Sequence, residues 1–142
     1  MGRILAIDYG RKRSGLAVTD TLQLIATGLT TVPSGDLVKF LFDYVSREPV
    51  EIFVVGLPKQ MNNELSENMK YIDAFVKHLK RTIPDIPVIF VDERFTSVLA
   101  HRAMLEGGLK KNKRQDKELV DEISAVIILQ SYLESNKYQF KL

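Results

Sequence analysis

The sequence predicts an α/β fold: a five-stranded mixed sheet, built from an antiparallel meander of three strands plus two parallel strands and flanked by helices. Three observations carry this. Residues 3–32 hold three apolar runs of strand length separated by polar turns. From residue 34 onward, helical periodicity alternates with short continuous apolar runs, the pattern of crossover units. The last long segment, Leu119 to Leu133, is apolar almost all round, and a helix of that kind lies on a sheet rather than in solvent.

The elements follow in order. Residues 3–8 read as a strand, and Ser14 to Thr19 as a second, joined by the polar turn Tyr9-Gly10-Arg11-Lys12-Arg13. Leu24 to Val32, rich in Thr, Leu and Ile, reads as a third strand after the Asp20-Thr21 turn. Leu37, Phe40, Leu41, Tyr44 and Val45 then recur at helical spacing behind Ser34 and Asp36, two cap-type residues, and Pro49 closes that helix. Ile52 to Val55, ended by Gly56-Leu57-Pro58, has the composition of a buried parallel strand. Leu65, Met69, Ile72, Phe75, Val76 and Leu79 mark a second helix, and Pro87 to Val91 a further buried strand ending in Asp92-Glu93. A short helix is expected from Thr96 or Ser97 to Glu106, stopped by Gly107-Gly108. Right-handed crossovers from such a meander put the first strand at the centre of the sheet, and ligands of open α/β sheets bind at the carboxyl ends of the strands.

Composition narrows the chemistry. The 142 residues suit one domain, expected to span 1–142, with no repeat, low-complexity tract or linker to divide it. There is no cysteine and there are two histidines, His78 and His101, so thiolate and histidine-rich metal sites are excluded and a metal here would be held by oxygen. Met1-Gly2-Arg3 runs straight into the first strand without the pattern of a secretory leader and no apolar stretch reaches membrane-spanning length, so a soluble, cytoplasmic protein is the expectation. The formal net charge of +2 permits a nucleic-acid partner without arguing for one.

One feature of the first strand conflicts with its burial: "ILAID" ends in a carboxylate, Asp8. Under the proposed topology an acid ending the last strand, Asp92 or Glu93, and Asp121 in the first turn of the terminal helix gather at the same edge. Neighbours on a strand point to opposite faces, so periodicity alone does not choose between Asp92 and Glu93. Each acid has a simpler explanation on its own. Asp8 before a Tyr-Gly turn can be a turn residue, Asp121 can complement a helix dipole, and Asp92 or Glu93 can make surface pairs with Arg94. Together, carboxylates so placed repel unless a cation lies between them, and hard Mg²⁺ or Mn²⁺ suits an all-oxygen site. Two such ions roughly 3.5–4 Å apart can activate a water on one side of a phosphodiester and stabilise the leaving oxygen on the other.

The segments "AIDYGRKRSGLAVTD", "VGLPKQMNN", "VDERFTSVLA" and "VDEISAVIILQSYL", in this order, resemble the YqgF family, also called RuvX, over nearly the whole chain from Arg3 to about Leu133. The resemblance implies a ribonuclease H-like fold and a nuclease that matures the 5′ end of the small-subunit (16S) ribosomal RNA precursor. Some relatives are described instead as Holliday-junction resolvases. Carried onto this chain, the family's acidic triad falls on Asp8, Glu93 and Asp121 as catalytic and metal-holding residues, with Glu93 chosen over Asp92. Ser124 stands where many relatives have a second small residue.

Basic and polar residues around these motifs suit a phosphate-rich partner. Arg11, Lys12 and Arg13 lie in the first hairpin turn, and Lys110, Lys111, Lys113 and Arg114 precede the last helix, where they read as phosphate contacts or as solvated loops. Arg94, Thr96 and Ser97 suit phosphate at a helix amino terminus, with simple capping as the alternative for the two hydroxyls. Lys59, Gln60 and Asn62 form a further candidate contact loop, and His101 reads as a surface residue. Gly10 to Gly15 has the spacing of a phosphate-loop pair, but Leu16-Ala17 follows where Lys-Ser/Thr is needed. An actin- or sugar-kinase-like ATPase shares the acidic strand and hairpin yet needs two such domains. A non-catalytic nucleic-acid or ribosome-assembly module on the same fold is the rival of another class. The expected partner is nucleic acid, pre-rRNA first and branched DNA second, with ribosomal particles a further candidate and the chain acting as monomer or homodimer. No residue marks a reader of the 2′-hydroxyl.

Overall fold

A computed structural model of the chain describes residues 2–57, 63–92 and 117–139. The strands are β1 (Arg3–Asp8), β2 (Arg13–Thr19), β3 (Ala26–Pro33), β4 (Val50–Leu57) and β5 (Val88–Asp92); the helices are α1 (Leu37–Arg47), α2 (Asn63–Thr82) and α3 (Lys117–Gln139). A 3₁₀ turn, Ser34–Asp36, leads into α1. The sheet runs β3-β2-β1-β4-β5, with β1 antiparallel to β2 and parallel to β4. The mixed sheet with β1 at its centre is therefore as the sequence predicts. The short helix expected after Thr96 lies outside the described residues.

Alternation along β1 explains its continuous apolar run. Leu5 and Ile7 point to one face, where they meet Leu37 and Leu41 of α1, Ile72 and Leu79 of α2, and Phe53 of β4. Ile4 and Ala6 point to the other, against Ala125, Ile128 and Leu129 of α3. A central strand covered on both faces has no solvent side to mark with polar residues. Under α3 the sheet is paved with small side chains: Ala6 and Ala17 are register partners, and Gly15 and Gly28 extend the floor into β2 and β3. That floor lets the helix approach closely.

The first hairpin is pinned by side chains. The Ile4 amide donates to Thr19 Oγ1 at 2.9 Å within the core, and Arg3 Nη1 donates to the Thr19 carbonyl at 2.9 Å. The β2–β3 turn differs from the sequence expectation, because β3 starts at Ala26 and not at Leu24. The Asp20 carboxylate takes the amides of Leu22, Leu24 and Ile25 at 3.1, 2.9 and 2.8 Å, withdrawing them from the ladder, and Gln23 turns the chain with φ 60°. These bonds hold the exposed Asp20 carboxyl below its ordinary 3.8, the Ile25 amide contributing most. A lowered folded-state value means that the bonds favour the fold above pH 3.8 and fail as pH falls through the lower folded value. In an NMR titration the amides of Leu22, Leu24 and Ile25 are expected to shift together with a midpoint below 3.8; a midpoint at or above it would discount the turn.

Neither cap expected before α1 acts as one. Asp36 occupies the N-cap position without a side-chain cap bond. Ser34 instead gives its hydroxyl to the Gly10 carbonyl and lies 2.8 Å from Ser14 Oγ, while its amide donates to the Lys12 carbonyl at 3.0 Å. It braces the loop that follows Asp8.

Candidate active site at the end of the central strand

The sheet face decides which acids meet. Asp8 continues the Ile4–Ala6 parity and so belongs to the α3 side of β1, partly buried. Its register partner on β2 is Gly15. A Cβ on Gly15 would overlap the Asp121 carbonyl oxygen and stand 2.9 Å from the Glu122 nitrogen, so the α3 backbone lies directly on the strand beside Asp8. On α3, Asp121 precedes Ala125, Ile128 and Leu129 at spacings of four, seven and eight, the stripe packed on the sheet. Asp8 and Asp121, 113 positions apart, thus come to one edge of one face.

The described helix starts at Lys117, so Asp121 lies in its second turn and not, as the sequence suggested, in its first. Dipole stabilisation falls off within the first turn, which weakens that explanation for the residue. Its carboxylate has a specific partner: Arg13 Nε donates to Asp121 Oδ2 at 2.8 Å, both side chains about one-third exposed or less. The sequence grouped Arg13 with Arg11 and Lys12 as a phosphate contact. The structure separates them, leaving Arg11 and Lys12 exposed on the loop and turning Arg13 onto α3. No local pattern signals a pair across 108 positions.

The two glycines beneath α3 differ in what they face. A Cβ on Gly28 would overlap the Glu122 side chain, its carboxylate oxygen and its Cγ at 2.9 Å, and would meet no backbone atom so closely. Gly28→Ala is therefore expected to cost less than about 1 kcal/mol, because Glu122 can swing aside; urea denaturation measures it.

Across the sheet edge, Tyr9 turns to the α1–α2 side and stacks on Phe75 with ring centroids 5.0 Å apart. Burial, with Tyr71 adding to it, pushes the Tyr9 phenol above its ordinary 10.0. Arg11 places its guanidinium 4.8 Å from the centre of the Tyr71 ring. On β5, Val91 packs on the α3 side, whereas Leu57, register partner of Asp92, packs on the α1–α2 side. β4 lies between β1 and β5. Glu93, Arg94, Thr96, Ser97, Lys110, Lys111, Lys113 and Arg114 lie outside the described residues, as do Lys59, Gln60, Asn62 and His101. Among the described residues no three acids or histidines cluster as a metal site, and no helix is long and apolar enough to cross a membrane.

A mixed sheet in this order, three antiparallel strands followed by two parallel ones with helices on both faces, has the ribonuclease H-like fold. Two solved structures share the fold: T. thermophilus RuvC in complex with a Holliday junction substrate (TM-score 0.58, 20% identity, covering 95% of this chain and 96% of that one) and Thermus thermophilus RuvC (TM-score 0.54, 18% identity, 94% and 96%). The family model for RuvX, described as Holliday junction resolvase, matches residues 2–135, and the chain belongs to that family. Among its relatives are proteins named "Putative pre-16S rRNA nuclease" from Parabacteroides distasonis (78% identical, covering 98% of this chain and 99% of the relative) and Bacteroides thetaiotaomicron (68%, 97% and 100%).

Proposed function

We propose that this chain, as one domain, is a divalent-metal-dependent phosphodiesterase that processes the 5′ end of pre-16S rRNA in ribosome biogenesis. The observation that carries the chemistry is the meeting of Asp8 and Asp121 at one sheet edge, β1 against Gly15 and Gly15 against the α3 backbone. The donor set fits a hard cation: both groups are carboxylates, and Asp121 already accepts from a cationic side chain, Arg13. Asp8, Asp121 and Glu93 would hold the ion or ions. Glu93 is taken over Asp92 as the third acid on the family resemblance of "VDERFTSVLA". When bound, Mg²⁺ or Mn²⁺ would supply charge neutralisation at phosphorus and a more acidic water. The chain's own part is orientation. Arg13 fixes the Asp121 carboxylate, and the Ser14–Ser34 brace holds the loop that carries Arg11 and Lys12 toward substrate phosphates. Lys110, Lys111, Lys113, Arg114, Arg94, Thr96 and Ser97 extend the phosphate contacts in this reading.

The pre-16S assignment follows the names of relatives that match end to end at 65–78% identity. The family model's description favours a second reading, resolution of four-way DNA junctions. An end-labelled rRNA precursor and a four-way junction, each incubated with the protein and Mg²⁺ or Mn²⁺, separate the two. Cutting of the precursor at its 5′ side is the expected result. Symmetric cutting of the junction alone would replace it with the resolvase reading, and no cutting of either would favour a binding module.

A further inference from the structure

The α1–α2 side of the same edge carries a feature that the carboxylate site does not use. Immediately after Asp8 the surface opens into a cavity of about 280 Å³ lined by Tyr9, Ser34, Val38, Tyr71, Phe75 and His78, among others. Tyr71 is 47% exposed, so its ring is held at the rim and not in the core. Arg11 covers part of that ring, and a guanidinium stacked on tyrosine presents a planar cation to a base or a phosphate. Ala74 lines both this cavity and a second depression, of about 460 Å³, bounded by Lys77, Lys80 and Arg81. From Tyr71 to Arg81 the helix rises about 15 Å, room for a few nucleotides. Among the exposed described residues from Lys70 to Arg81, the cations Lys70, Lys77, Lys80 and Arg81 outnumber the one acid, Asp73.

We infer that this groove along α2 binds the single-stranded flank of the nucleic-acid substrate, with an unpaired base stacked at Tyr71 and the backbone running past Lys77, Lys80 and Arg81. The inference rests on the nuclease reading of the Asp8 edge and adds a substrate class to it. Aromatic platforms beside cationic tracks take single strands of any sequence, because every base has a stacking face. A cavity of this size admits one base and not a base-paired duplex. Asp8 and Tyr9 are consecutive and lie on opposite sides of β1, so a strand crossing the sheet edge at Asp8 passes directly to the groove.

Fluorescence anisotropy in EDTA reads binding without cleavage, using a labelled 12-nucleotide oligouridine and a blunt duplex of equal length. Base–aromatic stacking of about 1–3 kcal/mol corresponds to roughly 5- to 150-fold in affinity. Tyr71→Ala is expected to weaken oligouridine binding by that factor and leave duplex binding unchanged, whereas Tyr71→Phe retains both. Lys77→Gln/Lys80→Gln/Arg81→Gln is expected to lower the slope of log affinity against log salt by about 2, at about 0.7 per contact on a single strand. Tyr71 is exposed, and a melting curve confirms that each variant is folded. Equal affinity of Tyr71→Ala and wild type for the single strand, or equal losses on single strand and duplex, would overturn the inference. Neither result bears on cleavage at Asp8, which the precursor assay reads separately.

Discussion

Asp8→Asn is expected to abolish cleavage while leaving the protein folded and able to bind RNA. The substitution keeps the shape of a side chain at a strand end that is only partly buried, so neither core loses volume. It removes the formal charge that makes Asp8 a ligand for a hard cation. Losing one preorganised electrostatic contact to a reacting centre costs about 10²–10³ in rate, and here the contact also holds the metal, so the loss is expected at or beyond the upper end. Single-turnover cleavage with a parallel melting curve measures both. A folded variant cutting at the wild-type rate would mean that the chemistry lies away from β1.

Gly15→Ala is expected to damage stability and activity together. The methyl group would overlap the Asp121 carbonyl, which belongs to the helix backbone and has no rotamer into which to move. The helix must withdraw by roughly 1 Å to regain contact distance, and overpacking of this kind costs about 1–3 kcal/mol. The same shift draws Asp121 away from Asp8 and strains its bond to Arg13. A displacement near 1 Å at a reacting centre costs about 10²-fold. Urea denaturation and cleavage under conditions where the variant is folded should therefore both change, in contrast to Gly28→Ala. Wild-type behaviour in both assays would show that α3 does not rest on Gly15.

How much of this was legible in the sequence depends on the range of the interaction. Strand and helix identities came from periodicity, β1 was readable as central from the meander followed by crossovers, and its continuous apolar run marked it as buried on both faces. The start of β3 was misplaced because Leu24 and Ile25 have strand-like side chains but donate their amides to Asp20, a bond that apolar patterning does not register. Ser34 looked like a cap, yet its hydroxyl serves the loop after Asp8. At the site, the sequence named Asp8 and Asp121 but placed Asp121 a turn too early on its helix. It missed the Arg13 pair and the role of Gly15, since both arise from contacts made only once α3 crosses the sheet. The aromatic set Tyr9, Tyr71 and Phe75 was equally hidden, because Phe75 read only as part of the core stripe of α2 and Tyr9 only as a turn residue, and their stacking is a contact between distant segments.

The central claim is that Asp8 and Asp121 hold one divalent-metal site, and Mn²⁺ binding followed by electron paramagnetic resonance tests it without recourse to substrate. Wild-type protein is expected to bind Mn²⁺ in competition with Mg²⁺, and Asp8→Asn and Asp121→Asn, both folded, are each expected to lose that binding. Equal Mn²⁺ binding by all three proteins would contradict it.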